Sequence, residues 1–192
     1  MAVRKETLDL LDANLSGGYV QDMALEPANH ELVYRKTFAI SPKYWEDYGP
    51  QISAVSLSWQ WVRYKELNAH LGTTLKRANK SGIYLFVAKP NVTVEGLPGF
   101  VFYVGISGER GSNRPLRDRL TDYLRIESIK KREAVHRGLR QYYEYTWVCY
   151  SLVDLTFDKL MDLEKAFHGF FAPWAGKRDF PTPVKAARAA WG

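Results

Sequence analysis

The chain contains very little cysteine and no long apolar segment. Cys149 is the only cysteine among 192 residues, which excludes a disulfide within the chain and a zinc site built from several thiolates. The first residues contain no apolar stretch of signal-peptide length, and no apolar run in the sequence could span a bilayer. These absences predict a soluble protein of a reducing, cytoplasmic compartment with no membrane partner.

Positive charge is concentrated in one part of the chain. Of the net charge of +6, residues 109–140 carry +5, from ten Lys and Arg against five Asp and Glu, whereas residues 1–80 carry ten against nine. A concentrated basic segment is typical of a protein that binds a polyanion such as nucleic acid. The alternative is a solvated helix surface that only keeps the protein soluble. The position of the segment, directly after a predicted strand, favours binding.

Hydrophobic periodicity gives an order of elements. Hydrophobic residues make up 46 % of the chain, enough for the core of one ordinary domain with an appendage. Alternating stretches predict strands at 31–40, 83–88, 100–106 and 142–152, of which the second and third are expected to pair antiparallel. Helical patterns and capping residues predict helices at 4–15, 113–126, 128–140, 156–172 and 186–191. Residues 56–71 show no clear period.

Glu164 is the strongest candidate for a functional side chain on geometric grounds. At 100° per residue it lies within an apolar helix stripe that consists of Leu160, Leu163, Phe167 and Phe171. A carboxylate in such a stripe is rarely buried unless it is paired or bound to a metal. Helix geometry leaves a structural salt bridge and a metal site equally open. His168, four residues later, could contact the same site, but it is expected to be a partly exposed helix histidine.

Two arginines flank a second buried stripe, which is formed by Leu116, Leu120, Tyr123 and Leu124. Arg117 and Arg119 lie on opposite sides of this stripe, so helix geometry does not choose between them. Either guanidinium could hold phosphate oxygens in a bidentate manner, and either could be an ordinary exposed arginine.

Two short strings occupy the predicted strands that precede these helices: Gly82-Ile83-Tyr84 and Tyr103-Val104-Gly105. With the basic helix and the glutamate helix that follow, residues 81–180 resemble the GIY-YIG nucleases. The resemblance implies an α+β fold with a small, mainly antiparallel sheet flanked by helices. It also implies a divalent-metal-dependent endonuclease that cleaves DNA, of the restriction, defence or mobile-element kind.

The resemblance implies a role for each matching residue. Tyr84 would activate or position the attacking water, and Tyr103 would orient the water or the phosphate. The family pattern Leu-x-x-Arg-Leu-x-x-His selects Arg119 as the phosphate clamp, and Glu164 would hold Mg²⁺ or Mn²⁺. Gly105 would let the substrate backbone approach closely.

This sequence departs from the family pattern at two positions. Tyr123 stands where the family has a histidine, and no asparagine follows Asn113, although the family has one just after the glutamate helix. Lys177 or Arg178 could replace that asparagine as a phosphate contact. The nucleic-acid contacts expected from the sequence are Gly105, Arg117, Tyr123, Lys130, Lys131, Arg132, Lys177 and Arg178.

These inferences divide the chain into an N-terminal accessory region (1–80), a nuclease-like domain (81–180) and a C-terminal tail (181–192). DNA is the expected partner, and no small-molecule cofactor is expected. Cleavage of both strands would suggest a homodimer, because each chain carries one site. One alternative is a nucleic-acid-binding module that kept the fold and lost catalysis along with the asparagine. A third class is a protein-interaction domain that uses the Trp- and Tyr-rich N-terminal region.

Overall fold

The computed structural model of the protein describes residues 41–76, 79–90, 99–108, 114–129, 131–176 and 180–191. In these ranges four strands form one antiparallel sheet with the order β1-β4-β2-β3. The strands are β1 Gln60–Arg63, β2 Gly82–Ala88, β3 Phe100–Ile106 and β4 Thr146–Leu152. The helices are α1 Pro42–Ser53, α2 Leu67–Thr73, α3 Leu116–Thr121, α4 Ile126–Ile129, α5 Glu133–Gln141, α6 Phe157–Phe171 and α7 Thr182–Trp191.

The sheet is covered on both faces, and β2 lies between β4 and β3. Alternate residues of β2 therefore enter two different cores. The first core contains Tyr84 and Phe86 and is covered by α2, α3 and α5. The second core contains Ile83, Leu85 and Val87 and is covered by α6, with partly buried side chains of α1 beside it. The side chains on the two faces of β2 are therefore buried in two separate cores.

The coarse fold prediction is confirmed: the protein is α+β, with a small antiparallel sheet and helices. The predicted strand at 100–106 has the observed bounds of β3, and β2 begins one residue before the predicted 83–88. The two strands pair antiparallel, with Tyr84 directly opposite Gly105. The predicted helix at 156–172 corresponds to α6. The predicted helix at 4–15 and strand at 31–40 lie outside the described residues.

The predicted helix at 113–126 is wrong in its length. The α3 helix ends at Thr121, a short 3₁₀ turn follows at Asp122–Leu124, and Arg125 is extended. The carbonyl of Tyr123 explains the break, because it accepts a hydrogen bond from the hydroxyl of Tyr64 at 2.6 Å. In a continuous helix that carbonyl would instead accept from the amide four residues later. The predicted basic helix at 128–140 is likewise two helices, α4 and α5.

Two further boundaries differ from the prediction. Strand β4 begins at Thr146 rather than at 142, because residues Tyr143–Tyr145 form a 3₁₀ turn. This turn is held by Thr146, whose Oγ1 donates to the carbonyl of Tyr142 at 2.7 Å. Helix α7 begins at Thr182, four residues before the predicted start of the C-terminal helix.

The unclear period of residues 56–71 has a structural explanation. This stretch contains β1, a 3₁₀ turn at Tyr64–Glu66 and the start of α2, so no single period describes it. Strand β1 pairs with β4, and Tyr64, Leu67 and Leu71 are buried in the first core. The described part of the predicted accessory region therefore belongs to the same sheet and core as residues 81–180.

No helix in the described part of the chain has the length and apolar character needed to cross a membrane.

Gly82 is placed where β2 approaches both its neighbouring strand and α3. A Cβ atom at this position would lie 2.6 Å from the carbonyl oxygen of Ser151 and 2.7 Å from Cδ2 of Leu116. We expect Gly82→Ala to lower the free energy of unfolding by about 1–3 kcal/mol, because the Ser151 backbone cannot move aside cheaply. Urea unfolding followed by circular dichroism measures this change.

Gly72 in α2 is the matched control, because a Cβ there would meet no atom within 4 Å. We expect Gly72→Ala to raise the free energy of unfolding by about 0.5–1 kcal/mol, since alanine favours the helix. Equal stability of the Gly82→Ala variant and the unmodified protein would contradict the close packing of β2 against Ser151 and Leu116.

Candidate active site

Three tyrosine hydroxyls are linked in the first core. The hydroxyl oxygens of Tyr84 and Tyr123 are 2.6 Å apart, and a side-chain hydrogen bond joins Tyr123 to Tyr103. Arg119 of α3 donates from Nε to the hydroxyl oxygen of Tyr84 at 3.0 Å. Tyr84 and Tyr123 are completely buried, whereas Tyr103 is half-buried. We call Tyr84, Tyr103, Tyr123 and Arg119 the tyrosine–arginine cluster.

Asp122 holds arginines around this cluster. Its carboxylate accepts from Nη2 of Arg114 at 2.7 Å, and it lies 3.6 Å from Nη2 of Arg132 and 3.9 Å from Nη1 of Arg119. The guanidinium of Arg132 also stands 4.8 Å from the ring centroid of Tyr123, in a cation–π contact. Three guanidinium groups share one carboxylate, so this part of the protein has an excess of positive charge.

The sequence did not identify Asp122 or Arg114 as members of the site. Asp122 is an acid within a basic segment, three residues after Arg119, and residues at this spacing are neighbours on a helix surface. That spacing is the one signal that pointed to it. Arg114 precedes α3 and reaches Asp122 across eight residues, a contact that no helical spacing predicts.

The tyrosine of the first motif is not poised to lose its proton. Burial raises the pKa of Tyr84 well above its usual range, and the neighbouring Tyr103 acts in the same direction. Arg119, the hydrogen bond with Tyr123 and the guanidinium of Arg132 lower the pKa of Tyr84, but burial outweighs them. Burial likewise raises the pKa values of Tyr103 and Tyr123. At neutral pH all three hydroxyls are neutral hydrogen-bonding groups.

Gly105 makes room for a side chain of the protein itself, and its expected role toward a substrate backbone stays a prediction. A Cβ atom at this position would lie 2.5 Å from the hydroxyl oxygen of Tyr84 and 2.6 Å from its Cζ. The space next to Gly105 is therefore filled by the Tyr84 ring. Tyr123 is corrected: it was expected to contact nucleic acid, but its side chain is buried and bonds to Tyr84.

Glu164 is buried on α6, with only 7 % of its surface exposed, as its place in the apolar stripe predicted. Leu160, Leu163 and Phe167 of that stripe pack into the second core, on the sheet face opposite Tyr84. Among the residues that the structure describes, no group of three or more His, Cys, Asp or Glu side chains could hold a metal ion.

His168 is buried rather than partly exposed, so the prediction for it is wrong. Only 1 % of its surface is accessible, and its ring packs edge-on against Phe180, with the centroids 5.0 Å apart. The backbone at Gly176 also lies close, since a Cβ there would be 3.0 Å from the His168 ring. The segment after α6 folds back over the helix and covers this histidine.

Of the remaining predicted contacts, the structure describes Arg117, Lys131 and Arg132. Lys131 is exposed and Arg117 is half-buried, and neither takes part in the contacts described above. Arg132, by contrast, belongs to the group of arginines around Asp122. Lys130, Lys177 and Arg178 lie outside the described residues.

Comparison with protein-family models, with curated proteins and with solved structures gives no match for this chain. The resemblance to the GIY-YIG nucleases therefore rests on the motifs in the sequence, and membership of that family stays a prediction.

The buried tyrosines predict a loss of stability in alkali. A tyrosine in the unfolded chain has a pKa of about 10, whereas Tyr84, Tyr103 and Tyr123 have raised values in the folded protein. The folded state therefore holds more protons above pH 10. Their contribution to stability is complete below about pH 10 and is lost as the pH rises toward the folded-state pKa values. Between these two pKa values, each such tyrosine lowers the free energy of unfolding by about 1.4 kcal/mol per pH unit.

Urea unfolding between pH 8 and 11.5 measures this dependence, and absorbance at 295 nm reports tyrosinate. We expect Tyr84→Phe to make the alkaline slope shallower by up to about 1.4 kcal/mol per pH unit. The urea-unfolded protein is the control and should ionise near pH 10. An unchanged slope in Tyr84→Phe would contradict the raised pKa of this group.

Proposed function

We propose that the protein is a divalent-metal-dependent endonuclease of the GIY-YIG type, which cleaves phosphodiester bonds of DNA. The observation that carries the proposal is the 3.0 Å hydrogen bond from Arg119 to the hydroxyl of Tyr84. It joins the tyrosine of the first motif to the arginine that the family pattern selects, although the two residues are 35 positions apart. The same cluster contains Tyr103 of the second motif.

The charges around Asp122 suit a phosphate group. The side chains of Arg114 and Arg132 are 40 % and 24 % exposed, so they form the accessible rim of the cluster, while Arg119 lies deeper at 13 %. Within the described residues, Nη1 of Arg132 is buried and has no hydrogen-bond partner. A buried donor without a partner is costly unless a ligand satisfies it. A phosphate oxygen is the acceptor that a guanidinium binds most strongly.

The linked hydroxyls of Tyr84, Tyr123 and Tyr103, which we call the hydroxyl chain, can position a water or a phosphate oxygen. Three hydroxyls have three protons, but only two hydrogen bonds join Tyr84, Tyr123 and Tyr103 to one another. One proton is therefore left over, and the direction of the two bonds decides which tyrosine carries it. Arg119 can only donate, so the oxygen of Tyr84 must accept from it. When Tyr84 donates to Tyr123 and Tyr123 donates to Tyr103, the remaining proton belongs to the half-buried Tyr103, which a ligand can reach.

Glu164 is the residue that would hold the metal ion. Its buried carboxylate is a hard oxygen ligand of the kind that Mg²⁺ and Mn²⁺ prefer. When bound, the ion would supply positive charge to the phosphate that is cleaved. The arginines around Asp122 would hold the phosphate, and Tyr103, backed by Tyr123 and Tyr84, would orient the attacking water.

A non-catalytic nucleic-acid-binding module is the second candidate. The burial of Tyr84 favours it, because a completely buried phenol with a raised pKa is a weak base. The excess of arginine would then bind the phosphate backbone without chemistry. The two candidates share a ligand and differ only in whether it is cleaved.

Plasmid cleavage distinguishes the two candidates. We expect supercoiled DNA to be nicked or linearised with Mg²⁺ or Mn²⁺ and to stay intact with EDTA. Tyr84→Phe, Arg119→Lys and Glu164→Gln should each lower the cleavage rate by about 100-fold or more, since Glu164 would hold the metal ion, and Tyr84 and Arg119 hold in place the hydroxyls that orient the water. DNA affinity, measured by fluorescence anisotropy without metal, should change by less than about threefold, because most binding energy comes from other cations.

Tyr145→Phe is the matched control, because the side chain of Tyr145 is 51 % exposed and lies outside the cluster. It should cleave at the rate of the unmodified protein. Binding without cleavage under every divalent metal tested would reject the endonuclease and leave the binding module. Cleavage by all three site variants at an unchanged rate would show that the active site lies elsewhere.

Salt dependence tests the basic segment separately. Each phosphate that a cation neutralises contributes about −0.9 to the slope of log K against log salt. Lys131 is exposed within the basic segment, so we expect Lys131→Ala to make the slope shallower by about 0.9. Lys43→Ala on α1 is the control, because Lys43 is 75 % exposed and pairs with Asp47. If Lys131→Ala leaves the slope unchanged, this lysine belongs to a solvated surface only.

A further inference from the structure

A cavity of about 530 Å³ lies on the face of the sheet opposite the tyrosine–arginine cluster. Its floor includes Trp61, Cys149 and Leu85, which are direct partners across β1, β4 and β2 and therefore stand in one row. Helices α1 and α6 close it from above, with Ile52 and Phe170 among the lining residues. Small-molecule sites typically enclose about 300–1,000 Å³, so the cavity is large enough for a ligand of one or two fused rings.

Five aromatic side chains line the cavity together with aliphatic ones. Trp59 and Trp61 line it from the β1 side, and Phe167, Phe170 and Phe171 line it from α6. Trp59 meets Phe167 edge-on, with the ring centroids 5.7 Å apart. Cys149 behaves as an apolar wall, because burial raises the pKa of its thiol to about 12. Such a lining offers ring-stacking surfaces and few hydrogen-bonding groups, which favours a flat apolar ligand over a sugar or a nucleotide.

Lys89 gives the cavity a charge. Its ammonium stands 5.7 Å from the ring centroid of Trp61, which is itself 50 % exposed. Among the described residues, the lining contains no carboxylate and Lys89 forms no ion pair. A cation with no counter-charge beside an apolar cavity favours a ligand with an anionic group.

We propose that this cavity binds a small planar aromatic molecule that carries one negative charge, with its rings among the tryptophans and phenylalanines and its anionic group at Lys89. None of Tyr84, Tyr103, Arg119 and Glu164 lines the cavity, so this site is separate from the proposed active site although α6 carries residues of both. The position of Lys89, directly after β2, fixes the end of the cavity at which the anion is held.

Two fluorescent probes with the same ring system test the proposal. The first, 8-anilinonaphthalene-1-sulfonate, is an aromatic anion, and N-phenyl-1-naphthylamine is its uncharged counterpart. We expect both to bind the full-length protein saturably with one site per chain, and the anion to bind more tightly. Lys89→Met should raise the dissociation constant of the anionic probe by about three- to tenfold, because the charged contact is lost. The dissociation constant of the neutral probe should change by less than about twofold.

Lys131→Met is the matched control, since it removes the same charge from an exposed position outside the cavity lining; it should change neither affinity. Val87→Phe places a larger side chain in the cavity and should weaken both probes. Ser53→Phe, at an exposed position of the lining, is a second filling variant that avoids the buried core. Thermal unfolding shows which variants are folded.

Each result decides the proposal. Selective weakening of the anionic probe by Lys89→Met, together with weakening of both probes by a folded filling variant, supports it. An equal effect of Lys89→Met on both probes overturns it, as does unchanged binding of the anion. Binding that does not saturate at one site per chain, or that survives in folded filling variants, also overturns it.

Discussion

The hydroxyl of Tyr84 lies inside the core, where a polar oxygen without a partner would cost about 1–3 kcal/mol. The surrounding structure satisfies it. Tyr123 and Arg119 bond to it, and Gly105 on the facing strand leaves room for its ring. Arg119 is in turn a partly buried cation that needs a counter-charge, which Asp122 supplies. The need to satisfy this one buried hydroxyl therefore explains why four residues surround it, namely Tyr123, Gly105, Arg119 and Asp122.

The network around Asp122 does more than satisfy Tyr84. A single carboxylate that balanced only Arg119 would leave a neutral pair, whereas Asp122 also holds Arg114 and Arg132. The group therefore keeps an excess of positive charge at its rim while its centre is buried and hydrogen-bonded. This arrangement combines a rigid, buried centre with positive charge at the rim, which is what the proposed phosphate site would require.

The two faces of the sheet have different chemistry. The face that carries Tyr84 is covered by apolar side chains of the short helices α2, α3 and α5, and it holds the linked tyrosine hydroxyls and the arginines around Asp122. The other face is covered by α6 and α1 with aliphatic and aromatic side chains, and it holds the cavity next to Lys89. Because alternate residues of β2 point to opposite faces, Tyr84 and Leu85 contribute to different sites although they are adjacent in the chain.

The sequence by itself determined the elements whose burial is periodic. Alternation of apolar residues located β2 and β3, and the apolar stripe located α6 and the burial of Glu164. The resemblance to the GIY-YIG nucleases also selected Tyr84, Tyr103 and Arg119, which the folded chain brings together. Periodicity is a local property, so it predicts which residues face a core without the rest of the fold.

Only the tertiary structure decided the features that depend on distant residues. The break after α3 follows from a bond between Tyr64 and Tyr123, which are 59 positions apart. The roles of Asp122 and Arg114, the burial of His168 under the chain after α6 and the place of β1 at the edge of the sheet have the same origin. Each depends on a contact whose partner no local pattern specifies, because folding chooses among many surfaces that could satisfy the same group.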